Sequence, residues 1–183
     1  MFSTFARMLS RLMILLLSSF PLAGGDRGEY EVKAAFLVNF THFVEWPASP
    51  RAVPFYLCVI GPDPFGDVLE KVVGNRTVNN SPIVIKRFPA AADGKSCDIA
   101  FVGDVDRETL LKLSRDLELG HVLTVGDSLK FAERYGVIGF IVENNRVNLV
   151  LNIGRANKHG LKISSQLMRV AKPVAAGHGE GER

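Results

Sequence analysis

Cysteine is scarce in this sequence and tryptophan scarcer: two Cys, at 58 and 97, and one Trp, at 46, stand among 183 residues. With so few thiols, and no second ligand at short spacing from either, a structural zinc site is not indicated. The four histidines, His42, His121, His159 and His178, lack the i, i+3 or i, i+4 partner of a helical metal pair. No serine sits in a nucleophile elbow. No phosphate-binding glycine pattern occurs either: the loop Gly61-Pro62-Asp63-Pro64-Phe65-Gly66 has prolines where a phosphate needs backbone N–H groups. A fixed-period repeat is missing too, which excludes a solenoid. Nothing local therefore pairs a nucleophile with a base, holds a cofactor or ligates a metal, and the expectation is a protein that is not an enzyme.

What is present begins with an export pattern. Arg7 and Arg11 precede an unbroken apolar run from Leu12 to Leu17, with no acid before it. That is the order of a secretory signal, and the run is far shorter than the roughly 20 residues that cross a bilayer. Pro21, Gly24 and Gly25 follow, so a continuing helix is disfavoured. The reading is a signal peptide over 1–25, with cleavage after Ala23 as the other register and an amphipathic N-terminal helix as the alternative. A soluble periplasmic protein with no membrane insertion after cleavage is expected. Of 22 Lys and Arg, the two in the signal leave 20 against 19 acids. The remaining cations are scattered, so a nucleic-acid partner is not supported. In an oxidising compartment Cys58 and Cys97 read first as one disulfide, with two buried thiols as the alternative.

Along the chain, Val32, Ala35, Phe36, Phe40, Phe43 and Val44 recur at helical spacing, predicting a helix over 29–45 that stops at Trp46-Pro47. Strands are predicted over 55–60, 83–87, 98–102, 122–125 and 137–143, with a sixth carrying Val147, Leu149 and Leu151. Between them fall a short helix ended by Gly74, a polar turn over 75–81, an amphipathic helix over 106–119 and a short helix over 127–134. Asn144-Asn145 is a hairpin signal, because both residues tolerate positive φ. A last helix is predicted over 154–171, and a glycine-rich, disordered tail over 174–183. Alternating strands and helices argue a single α/β domain over 26–173: a largely parallel sheet of about six strands, flanked by about five helices, with a C-terminal antiparallel hairpin.

In such folds ligands sit at the carboxyl ends of the strands. The acids there, Asp104 and Asp106 in one loop and Asp127 in another, read as turn and helix-capping residues. Three segments stand out instead. The sole tryptophan lies beside an acid in Phe43-Val44-Glu45-Trp46-Pro47, as an interface anchor or a core side chain. Glu143-Asn144-Asn145-Arg146 forms a charged tip, and Lys162-Ile163-Ser164-Ser165-Gln166 a polar patch in the last helix.

Together with Lys33-Ala34-Ala35-Phe36-Leu37-Val38-Asn39-Phe40, Gly139 to Val147 and Gly160 to Leu167, in that order, these segments resemble the YfiR family of periplasmic proteins. The resemblance implies a non-enzymatic regulator. In the best-known relative, the protein represses an inner-membrane diguanylate cyclase by binding its periplasmic sensor part, and is itself captured by an OmpA-like outer-membrane lipoprotein. Release of the cyclase raises cyclic di-GMP and favours biofilm formation. An α/β fold and a homodimer are also implied. Cys58 and Cys97 match the family's shared disulfide; a second pair in that relative is missing here. On this reading the partner-binding residues are Phe43, Glu45 and Trp46, then Glu143 and Arg146, then Lys162, Ser164 and Ser165. The alternative is a periplasmic sensor of a small molecule.

Overall fold

The structure is a computed structural model describing residues 25–47, 54–89, 96–118 and 120–174. The expected signal, up to residue 24, and the tail from 175 lie outside the described residues. The chain opens with α1 (Gly25–Asn39), a 3-10 turn (Phe40–His42) and a two-residue strand β1 (Val44–Glu45). Then come β2 (Phe55–Ile60), α2 (Val68–Val73), β3 (Thr77–Val78), β4 (Ser81–Phe88), β5 (Ile99–Val102) and α3 (Arg107–Glu118). The remainder is β6 (Leu123–Gly126), α4 (Leu129–Arg134), β7 (Ile138–Glu143), β8 (Arg146–Leu151), α5 (Ile153–Lys158), β9 (Lys162–Ile163), α6 (Ser165–Val170) and β10 (Lys172–Pro173).

The main sheet has eight strands in the order β10-β8-β7-β6-β5-β2-β4-β3. Its centre, β4-β2-β5-β6-β7, is parallel throughout. Strands β8 and β3 run antiparallel to their neighbours β7 and β4, and β10 pairs parallel to β8. All six strands read from the sequence are there, and the two additions, β3 and β10, are two-residue edge strands. Every residue of β5 and β6 is buried, as expected for parallel strands covered on both faces. Side-chain alternation divides the core into two layers. Leu57, Val59, Ile99, Phe101, Leu123 and Val125 pack with Ala34, Leu37 and Val38 of α1 and Leu69 and Val73 of α2. On the other face Cys58, Ile60, Ala100 and Val102 meet Leu113 and Leu117 of α3 and Phe131 of α4.

Both long terminal helices are shorter than their periodicity predicts. The first ends at Asn39, where the Thr41 hydroxyl donates to the Val38 carbonyl at 2.7 Å, a local bond that competes with the helical ladder. Val44 and Glu45 then pair antiparallel with Ile163 and Lys162. The last helix is broken into α5, β9 and α6. Gly160, at φ +71°, ends α5: its N–H reaches the Asn157 carbonyl and that of Leu161 the Ala156 carbonyl, both at 2.9 Å. This is the Schellman arrangement, which needs a left-handed residue. Helix α6 starts afresh on Ser164, whose Oγ accepts from the Leu167 N–H at 3.2 Å. The segment 162–166 is thus a strand, a cap and a helix start, not a polar patch within a helix.

Candidate functional site

At the amino ends of the parallel strands, the β1–β9 pair joins two stretches that lie far apart in the chain. Glu45 and Lys162 stand opposite one another in register, and the Ser164 N–H extends the pairing by donating to the Phe43 carbonyl at 2.8 Å. Trp46 continues from β1 onto the main sheet: its indole N–H donates to the Asp98 carbonyl at 3.1 Å, and its ring meets Phe55 edge-on at 5.3 Å. Six of the eight residues expected to bind a partner are gathered here. Phe43, Trp46 and Ser164 are partly buried and hold the structure, while Glu45, Lys162 and Ser165 are exposed.

The other two, Glu143 and Arg146, lie at the opposite end. They face each other across the β7–β8 tip, where Asn144 and Asn145 take φ of +51° and +59°, and Lys172 pairs with Glu143. Eight expected contact residues thus form two separate surfaces, one at each end of the sheet.

Sequence reasoning missed two buried polar centres. Lys33 is 1 % exposed yet ion-paired with Glu29 and Asp127, and its ammonium lies 4.5 Å from the centre of the Tyr30 ring. Tyr30 donates to the second Asp127 oxygen at 2.8 Å. Asp127 therefore clamps α1 to the sheet and does not cap α4; Ser128 does that, accepting from the Phe131 N–H at 3.1 Å. The signal for Lys33 was a lysine four residues after Glu29, on the helix face of Phe36 and Phe40. In the other loop Asp106 does cap its helix, accepting from the Thr109 N–H at 2.9 Å and hydroxyl at 2.6 Å; these bonds, the hydroxyl first, hold its carboxyl below the usual carboxylate range.

The second centre lies behind the β1–β9 pair. His159 is fully buried; its Nδ1 lies 2.7 Å from the Val122 carbonyl. His121 Nδ1 lies 2.8 Å from the carbonyl of His159 itself. Burial holds the His159 imidazole below its ordinary pKa; the Val122 carbonyl and Glu118 act against that shift, while Arg155 and His121 add to it. Arg155 donates to the Ser114 hydroxyl at 2.9 Å and the Arg134 carbonyl at 2.8 Å.

The central parallel strands have a topological switch point between β2 and β5, where doubly wound sheets bind ligands. Here that crevice is shut. A Cβ on Gly103 would lie 2.2 Å from the Pro62 carbonyl oxygen, and one on Gly61 2.6 Å from Val105. Arg87 also ties Asp63, at 2.6 Å, to Glu70 across the same loop. A cleft of about 470 Å³ opens one strand further on, lined by Asp104, Arg107, Leu110, Lys130, Phe131 and Tyr135 among others.

Cys58 and Cys97 form a disulfide with Cα atoms 5.9 Å apart, joining β2 to the residue two before β5. No helix among the described residues is long and apolar enough to cross a membrane. Residues 30–172 match the model of a protein family described as YfiR/HmsC-like. No curated protein matches the chain.

Proposed function

The chain belongs to the YfiR/HmsC-like family, a periplasmic regulatory family, and from that membership we propose that it docks on the periplasmic sensor part of an inner-membrane diguanylate cyclase and holds it inactive. Cyclic di-GMP and biofilm formation then fall under its control, and an OmpA-like outer-membrane lipoprotein is the second partner that draws it away. The observation that carries this reading is the β1–β9 pair, which brings two distant sequence blocks onto one surface, with Glu45, Lys162 and Ser165 exposed around the half-buried Trp46. An aromatic anchor ringed by polar groups is the usual composition of a protein-binding centre. Repression follows if this surface binds the inactive cyclase more tightly than the active one, since only differential affinity shifts an equilibrium.

Two measurements test it. Deleting the gene is expected to raise cellular cyclic di-GMP, and the tagged protein is expected to capture a cyclase from a membrane extract, with Lys162→Glu weakening capture tenfold or more. Unchanged cyclic di-GMP together with no captured membrane protein would overturn the proposal. A second reading, a sensor of a small molecule, is favoured by the cleft between α3 and α4, whose volume lies in the range of ligand sites.

A further inference from the structure

The docking surface proposed above rests on a buried histidine. His159 ends α5 and immediately precedes Gly160 and β9, so the path from the main sheet to the β1–β9 pair runs through it. A carbonyl only accepts hydrogen bonds, so the contact with Val122 places the proton of the neutral ring on Nδ1. Nε2 then carries the lone pair, and it is buried with no hydrogen-bond partner among the described residues. By the same reasoning His121 donates from Nδ1 to the His159 carbonyl, which fixes the turn from the other side.

Among the described residues a second proton has no acceptor to meet. It would add a charge and an unsatisfied donor to a fully buried site, and a buried charge is costly unless it is paired. The charged neighbours give little relief. From α5 comes the Arg155 guanidinium, already positive, and from the turn before β6 comes His121, itself protonatable. From α3 comes Glu118, whose carboxylate lies 3.9 Å from Arg155. The simplest escape is for the ring to reach water, and that requires the end of α5 to leave Val122.

We propose that His159 is an acid-sensitive latch: when its ring takes up a second proton, the end of α5 releases from the main sheet and the β1–β9 pair opens. The opening is local. Strand β9 pairs with β1 in a sheet of its own, so the ladders of β5, β6 and β7 do not run through the latch. Because burial places the closed-state pKa below the ordinary value, the open state binds the proton first. The closing free energy is therefore fully present above about pH 6.5, the ordinary histidine value, and is lost as pH falls from there toward the closed-state value. That the opening also weakens partner docking rests on reading the β1–β9 surface as the docking face; the latch itself does not.

The single tryptophan makes this measurable in the full exported chain. Trp46 stands at the end of β1 against Phe55 and Asp98, so its emission reports the opening. Between pH 7.5 and 5.0, above the carboxylate range, we expect a red shift with a midpoint below 6.5. Over the same range the protection of the Ser164 amide against hydrogen exchange falls at least tenfold, while the β5 and β6 amides keep theirs. His159→Asn, which cannot take a proton, removes the step, whereas His42→Gln retains it. Should His159→Asn fail to fold, nitrogen chemical shifts of the wild-type His159 ring decide the matter, because the ring must titrate together with Trp46. A step that survives in folded His159→Asn, a ring that titrates without the Trp46 change, or simultaneous loss of β5 and β6 protection overturns the latch. Capture from membrane extracts at pH 7.5 and 5.5 separates the two ideas. If the Trp46 step occurs but capture is unchanged, the latch stands and the docking face is wrong.

Discussion

Lys33 shows how a single residue can look ordinary in sequence and be decisive in the fold. Its neighbours Ala34, Leu37 and Val38 are buried apolar residues of the core, and a lysine among them is stable only because Glu29 and Asp127 neutralise it. Removing the cation leaves two carboxylates facing each other in a partly dry site. Breaking a buried ion pair from one side costs about 3–5 kcal/mol, and since both acids here keep some access to water (20 % and 30 % of side-chain surface) the lower part of that range applies. We expect Lys33→Met to lower the urea unfolding free energy by about 3 kcal/mol. Adding Asp127→Asn should restore part of it. Equal loss in the single and double variants would show that the lysine stabilises through packing alone.

At the scale of elements, the segment after β8 offers the clearest test. Helix α6 owes its start to the Ser164 side chain, and β9 owes its position to the turn at Gly160. Loss of a serine cap costs about 1 kcal/mol, so Ser164→Ala should lower stability by roughly that amount and speed exchange at the Leu167 amide. Gly160→Ala is expected to cost more, because φ is +71° and the added Cβ would meet the His121 ring at 3.0 Å. These breaks were hard to read from the sequence for a physical reason. A two-residue strand has no periodicity of its own, and the partner that makes Val44–Glu45 a strand lies near the other end of the chain. The long strands, the hairpin at Asn144-Asn145 and the α3 helix were legible because alternation, positive-φ residues and a helical apolar stripe are local properties. Asn79-Asn80 carries the same positive-φ signal, with φ of +49° and +66°. It read as a plain turn because Thr77–Val78 is too short to announce a strand. For the candidate site, Trp46 and the polar residues around it were legible as oddities. Lys33 and His159 were not, since nothing local tells that their side chains are buried.

For the molecule as a whole, the disulfide links β2 to the segment that leads into the neighbouring strand β5, on the face covered by α3. Cys58 and Cys97 are fully buried there with Ile60, Leu113, Leu117 and Val122, while the α1 and α2 face has a larger core that does not touch the bridge. The fold should therefore survive reduction, at lower stability. The 39-residue separation gives a loop whose closure contributes roughly 3–4 kcal/mol on the chain-entropy account. For a domain of this size that corresponds to a melting-temperature drop on the order of 10 °C. Reduced protein, and the Cys58→Ala/Cys97→Ala variant, should show this drop in thermal denaturation with native circular dichroism at 25 °C. Since the bridge constrains the unfolded chain, its loss should also raise the denaturant m-value, because more surface is exposed on unfolding. An unchanged melting temperature after verified reduction would mean that packing around Leu113 and Leu117 carries this face alone, and that the bridge contributes nothing to the fold's stability.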